Sequence, residues 1–245
     1  MSKTPVLILG ARSDIGLAVA RRFAAAGHPV QLAARRSERL EGARTDIALR
    51  YNVTVTLHEL DVLDTAAHRP FLDALLPFPG VTVCAVGLMG EQRASEHDAD
   101  QAALVMRSNF EAPALILGEI ANRYEAAGAG VIVGIGSVAG ERGRATNYVY
   151  GAAKAGFAAF LSGLRNRLAK KGVHVLTVLP GFVATRMTEG MDLPARLTAR
   201  PEELGEAIFA AVGAQRDIIH VRRIWGVIMT VIRAIPERIF KRMSL

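Results

Sequence analysis

The chain has 245 residues, 51% of them hydrophobic and 22% charged, so it is long and apolar enough for one large domain and is not a disordered chain. With a single cysteine it is not a disulfide scaffold. Of its net charge of +7, residues 216–245 hold +5 (seven Lys or Arg against two acids) and the rest only +2, so the basicity is C-terminal and a nucleic-acid face over the domain is not expected.

Residues 1–4 are not expected to include a secretory signal. From there the periodicity reads βαβαβ: an apolar run at 6–9, helical spacing over 15–26, a run at 30–34, helical spacing over 37–50 and a run at 53–57. The first run leads into Gly10-Ala11-Arg12-Ser13-Asp14-Ile15-Gly16. A strand, a glycine turn and a helix N-terminus together suit a pyrophosphate: glycine lets the backbone come close, while free N–H groups and the helix dipole face the anion. Gly10, Arg12, Ser13, Asp14, Ile15 and Gly16 are candidate cofactor ligands on this ground. The alternative is a plain strand-to-helix turn, because two glycines six apart carry little weight in a chain with 23.

The second run ends in Ala33-Ala34-Arg35-Arg36, with no acid to bind a ribose 2′-hydroxyl. Arg35 with Arg12 can grip a 2′-phosphate instead, which favours NADPH and leaves NADH open; the alternative for Arg35 and Arg36 is a solvated helix start. After the third run, Asp61 in Leu60-Asp61-Val62 can accept from an adenine amino group or cap a helix.

Further apolar runs at 81–86, 131–135 and 173–179, separated by helical spacing over 99–127 and 148–171, continue the alternation. Such runs suit a parallel sheet covered on both faces, so the predicted fold class is α/β, a Rossmann-like doubly wound parallel sheet. Residues 1–221 are expected to form this single domain, with a basic, apolar extension over 222–245. Cys84, inside the run 81–86, has no second thiol to pair with, which suits a reducing cytoplasm. His28, His58, His68, His97, His174 and His220 show no ligand spacing, so no metal is expected. Residues 182–200 follow a strand without a sustained apolar period, and are expected to form a long loop over a substrate at the carboxyl edge of the sheet.

The chemistry concentrates in one spacing. Tyr150 and Lys154 stand at i and i+4 of a helical stretch and so share a face, and Ser137 closes a strand thirteen residues before the tyrosine. With four Tyr, five Lys and eight Ser, a Tyr-x-x-x-Lys arises by chance about 0.08 times and the added serine brings that to roughly 0.003. Tyrosine alone, with a pKa of about 10, is a poor acid-base near neutrality and needs a cation beside it, which Lys154 supplies. Ser137 can donate to a substrate oxygen and stabilise a developing alkoxide.

With these residues the chain resembles the short-chain dehydrogenase/reductase family, over essentially its whole length to about residue 220. The resemblance implies a fourth catalytic position at Asn109, holding a water that returns the proton to Lys154, where the alternative is ordinary backbone bonding within a helix. It implies that Pro180, Gly181, Val183 and Thr185 orient a nicotinamide, that Lys154 also holds the nicotinamide ribose, and that Val62 and Gly87 join the cofactor site. The sequence departs from the family twice. The middle glycine of the usual turn is Asp14, expected as a helix N-cap with its carboxylate turned from the pyrophosphate, and the usual Asn-Asn-Ala-Gly reads Cys84-Ala85-Val86-Gly87.

Gly87-Leu88-Met89-Gly90, Ser137-Val138-Ala139-Gly140-Glu141-Arg142 and the stretch 231–240 more particularly resemble the keto-reductases of the polyprenylphosphoryl-ribose 2-epimerase system. There a flavin-dependent oxidase makes a 2-keto sugar on a lipid phosphate and the reductase returns the hydroxyl inverted, giving arabinose. Residues 224–235 are apolar apart from Thr230 and Arg233, include Trp225 and are flanked by Arg222, Arg223, Arg238, Lys241 and Arg242. Twelve residues cannot span a hydrocarbon core that takes about twenty. They can lie in the headgroup layer, or pack on the domain or on a second copy in a homo-oligomer. The open readings are a lipid-linked keto-sugar reductase at the membrane surface, a soluble carbonyl or 3-oxoacyl reductase, and a non-catalytic dinucleotide scaffold.

Overall fold

The structure is a computed structural model that describes residues 3–243. Met1, Ser2, Ser244 and Leu245, the outer ends of the two expected segments, lie outside the described residues. In chain order the strands are β1 (Val6–Leu9), β2 (Val30–Ala34), β3 (Val55–Glu59), β4 (Val81–Cys84), β5 (Gly130–Ile135), β6 (Val173–Pro180), β7 (Phe182–Val183), β8 (Thr198–Ala199) and β9 (Ile218–Val221). Seven of them form one parallel sheet in the order β3-β2-β1-β4-β5-β6-β9, and β7 pairs with β8 separately.

β1 explains why its run has no polar residue. Alternate side chains enter opposite faces, so Val6 and Ile8 pack in the core on one side and Leu7 and Leu9 in the core on the other, all four without solvent exposure. The first face is covered by α1 (Asp14–Ala25) and α2 (Glu41–Tyr51), which bring in Phe23 and Ile47. On the opposite face α3 (His68–Asp73) buries Phe71 and Leu72. Further along come α4 (Gln92–His97), α5 (Ala99–Met106), α6 (Ala112–Ala127) and α7 (Tyr148–Leu168). α6 and α7 complete the second core with Ile116, Leu117, Phe157 and Leu161, and α8 (Pro201–Gly213) completes the first with Leu204 and Ile208. Buried Thr82 is satisfied by a 2.9 Å hydrogen bond with the Tyr124 hydroxyl, so the polar atom in the middle of β4 has a partner.

Two features depart from the sequence expectation, and the extension agrees with it. The helical stretch 99–127 is broken by a wider π turn at Arg107–Glu111 that carries Asn109, a local device common at functional sites. β9 is a seventh strand that the periodicity did not reveal, being only four residues long and half-exposed at the sheet edge. The extension folds as α9 (Ile224–Ala234) and α10 (Glu237–Phe240), and no described helix is long and apolar enough to cross a membrane. Strand order reverses between β1 and β4, and their carboxyl ends open the crevice where doubly wound sheets hold ligands.

Candidate active site

Ser137 follows β5 in extended conformation and caps a short 3-10 turn, its hydroxyl accepting from Ala139 N at 3.1 Å. Tyr150 lies in the first turn of α7, and Lys154 one turn later. The lysine is 3% exposed, donates to Ile135 O at 3.0 Å, and places its Nζ 5.8 Å from the centre of the Tyr150 ring. Burial pushes the phenol up to about 12, while the Ser137 side chain draws it back. Burial also pulls Lys154 down to about 8. The phenol therefore holds its proton more tightly than a free tyrosine, because burial outweighs any help from the neighbouring cation, while the lysine loses its own proton near pH 8.

Asn109 is fully buried, and its amide is engaged by protein: Nδ2 donates to Leu88 O at 2.5 Å and Val105 O at 2.8 Å, and Oδ1 accepts from Leu88 N at 3.2 Å. The side chain thus ties the loop after β4 to the π turn, and its bond to Val105 is the intrahelical alternative of the sequence reading. A Cβ on Gly87 would sit 3.0 Å from Asn109 Oδ1 and 3.5 Å from Lys154 Nζ, so both atoms gather around this loop. Where the family asparagine is absent, the Ala85 amide donates to Leu9 O at 2.8 Å and its carbonyl packs on Gly10.

The glycine turn has the approach a dinucleotide requires. Gly10 has φ +79°, and a Cβ there would lie 2.9 Å from the Ala85 backbone, so no larger residue fits. Asp14 is not the N-cap. That place belongs to Ser13, whose hydroxyl accepts from Gly16 N at 2.9 Å because Ser13, and not Asp14, is the last extended residue before the helix. The Asp14 carboxylate turns instead to Arg186, a residue the sequence reading did not single out. Ile15 lies in the first turn of α1.

Arg12 donates to Arg35 O at 3.3 Å, and the exposed Arg35 guanidinium stands 3.8 Å from Asp61, so Arg12, Arg35 and Asp61 meet at the carboxyl ends of β2 and β3. Asp61 accepts from Leu63 N at 3.0 Å, which is the capping alternative, and its second oxygen faces Arg35. Val62 is buried beside it. These residues fit a phosphorylated ribose: two guanidiniums stand at the end of β2, with Glu59 at the end of β3 turned onto the Arg36 and Ser37 amides at 2.8 and 2.7 Å and Asp61 offset by Arg35.

Pro180 ends β6, and Gly181 has no room for a side chain because Trp225 of α9 occupies the space, 1.9 Å from where a Cβ would be. Trp225 is 4% exposed, donates to Leu197 O at 3.0 Å, and stacks edge-on to Phe182. Of the placements the sequence left open for the extension, the tryptophan takes packing on its own domain: the space above Gly181 claims it. With Met229 and Val138 it forms a third, small core joining the extension to the Ser137 turn. Val183 is buried, and Thr185 caps the turn Arg186–Thr188 reciprocally with Thr188. Beyond this turn a cleft of about 840 Å³ runs between α1, loop 184–198 and α8; it includes Asp14, Arg186 and Met191 but none of Ser137, Tyr150 and Lys154.

Comparison with known proteins follows the same outline. A family profile described as short chain dehydrogenase matches residues 4–194. An uncharacterized oxidoreductase of Mycobacterium tuberculosis is 37% identical over 242 residues, covering 98% of this chain and 96% of that protein. A short-chain dehydrogenase from Sphingobium yanoikuyae, solved in complex with NADPH, superposes with a TM-score of 0.81 at 26% identity, covering 96% of this chain and 97% of that one. The bulky-bulky ketone specific alcohol dehydrogenase from Comamonas testosteroni superposes at 0.80 with 25% identity, over 97% and 96% of the two chains.

Proposed function

The chain belongs to the short-chain dehydrogenase family and is an oxidoreductase, and from that premise we propose that it is an NADP(H)-dependent reductase of a ketone. The observation that carries the proposal is the buried Lys154 ammonium under the Tyr150 ring, beside Ser137. When bound, the nicotinamide supplies the hydride. Ser137 donates to the carbonyl oxygen, and Tyr150 hands it the phenolic proton. Lys154 lowers the cost of the phenolate that results, and also holds the nicotinamide ribose. Asn109, whose amide protons are spent on Leu88 O and Val105 O, holds the water that restores the proton to the lysine on the remaining lone pair of Oδ1, close to Lys154 across Gly87. Gly10, Ser13, Ile15 and Gly16 present the α1 N-terminus to the pyrophosphate, and Pro180, Gly181, Val183 and Thr185 orient the nicotinamide.

Arg12 and Arg35 favour the phosphorylated dinucleotide. Arg35→Ala is expected to weaken NADPH binding by roughly 1.5–3 kcal/mol, the worth of a charge-assisted phosphate contact, and to leave NADH nearly unchanged, as fluorescence titration would measure. Equal losses would remove Arg35 from the 2′-phosphate. NADPH and NADH oxidation with a panel of ketones, with and without a polyprenyl phosphate attached, tests the activity itself.

Within this proposal the substrate is the 2-keto group of a polyprenylphosphoryl pentose, supplied by a flavin-dependent oxidase, and the enzyme works in the cytoplasm against the inner face of the membrane. Support comes from the outer side of the extension. While Trp225 and Met229 face inward, Ile224, Val227, Val231 and Ile239 are 51–66% exposed, and Arg223, Arg238, Lys241 and Arg242 lie on the same segment. Vesicles of phosphatidylglycerol and phosphatidylcholine are expected to sediment the protein, less so as salt rises. Val227→Ser with Val231→Ser should lower that binding about tenfold or more without lowering Tm, because both side chains face solvent. Indifference of the wild type to vesicles would favour the second reading, a soluble carbonyl or 3-oxoacyl reductase whose extension only closes its own domain. The burial of Trp225 and Met229 is the observation on that side.

A further inference from the structure

The glycine turn of this chain carries a carboxylate where an anion is to be bound. Asp14 is the first residue of α1, and its negative charge stands in the field of N–H groups that would otherwise be spent on a pyrophosphate. Its oxygens accept from the Arg186 amide at 2.8 Å and from Arg186 Nε at 3.0 Å, and Arg186 Nη2 also donates to Arg12 O. One arginine therefore grips the turn at two residues, from a position 172 residues further on. Its own segment is fixed: the Thr188 hydroxyl donates to Val183 O at 2.7 Å, and Thr185 caps the turn.

We propose that Arg186 is a positioning residue for the dinucleotide, the counter-charge that makes an acidic glycine turn able to accept a pyrophosphate while clamping residues 184–188 over it. The inference rests on the dinucleotide reading above. Three consequences follow from the charges. Removing Arg186 leaves a bare carboxylate at the anion site, so binding weakens. Removing the Asp14 charge lightens the site, so binding tightens. Removing both cancels most of the loss, because a neutral turn no longer needs a counter-charge.

The test is NADPH affinity by fluorescence titration for the wild type, Arg186→Met, Asp14→Asn and the double variant, each checked for folding by its melting curve. Arg186→Met is expected to bind roughly ten- to a hundredfold more weakly, and Asp14→Asn somewhat more tightly than wild type. The double variant should recover most of the loss. The deficit of Arg186→Met should also shrink in high salt, since repulsion at a partly exposed site is screened while a packing defect is not. Arg186→Lys, which keeps the charge, should recover part of the affinity. A double variant no better than Arg186→Met, or a deficit indifferent to salt, overturns the counter-charge role. Normal affinity in Arg186→Met overturns it equally. A wild type that binds neither NADPH nor NADH overturns the dinucleotide reading itself, and this inference with it.

Discussion

Tyr150→Phe is expected to reduce turnover by roughly 10²–10⁴-fold, the contribution of a positioned proton donor, while NADPH affinity stays nearly unchanged. The substitution keeps the ring that lies 5.8 Å from Lys154 Nζ and deletes only the hydroxyl. Single-turnover assays with saturating NADPH separate the proton step from binding. A variant that turns over within a few-fold of wild type would remove Tyr150 from the chemistry. The pH dependence adds a second check on the same pair. Lys154 is pulled down to about 8 by burial, so its ammonium is lost as pH rises through that value, and the rate of reduction is expected to fall there. Stability moves the other way. A lysine whose folded pKa lies below its unfolded one binds fewer protons when folded, so the chain gains stability between about pH 8 and 9, above which the buried Cys84 thiol, pushed up to about 11, offsets the gain. A rate that falls while Tm rises cannot be ascribed to unfolding.

How much of this was legible in the sequence depends on the range of the interaction. Tyr150 and Lys154 are set by helix period alone, so the spacing gives their shared face directly. β1 was legible because a strand buried on both faces leaves little room for a polar residue, and β6 because its apolar run is broken only by His174 and Thr177. β9 was not, since a four-residue edge strand with an exposed Ile218 and a histidine offers too little pattern. The π turn at Asn109 has no distinguishing composition, and the helical spacing reads straight through it. Asp14 and Arg186 show a different limit. The departure from glycine was visible, and an acid in an anion site calls for a cation, yet nothing local says which of the many arginines answers. Position along the chain identifies neither partner; only the packing of loop 184–188 against α1 does.

Trp225 carries the other large effect. An apolar helix with basic flanks satisfies a headgroup layer and a protein groove equally well, since both reward one apolar face, and the deciding partner is Gly181, remote in sequence. The structure pairs them: the indole fills the space a Cβ would need, touches Phe182 and bonds Leu197 O, so residues 181–182 and 197 converge on one side chain. Trp225→Ala is therefore expected to cost about 3–5 kcal/mol, the range for emptying a buried aromatic site. For a chain of this size that lowers Tm by roughly 6–20 °C. Trp225→Phe keeps most of the volume and loses the Nε1 hydrogen bond, so its cost should be nearer 1 kcal/mol plus a smaller cavity term. Because Val138 follows Ser137 and packs on the same cluster, the KM for ketone should rise in Trp225→Ala even well below its Tm. The chain has one tryptophan, so wild-type fluorescence reports on this residue alone, and a blue-shifted emission is expected from its burial. Red-shifted emission together with an unchanged Tm in Trp225→Ala would mean that α9 does not sit on the domain. The tryptophan would then be free for the membrane, and the wall it builds beside Ser137 would be lost.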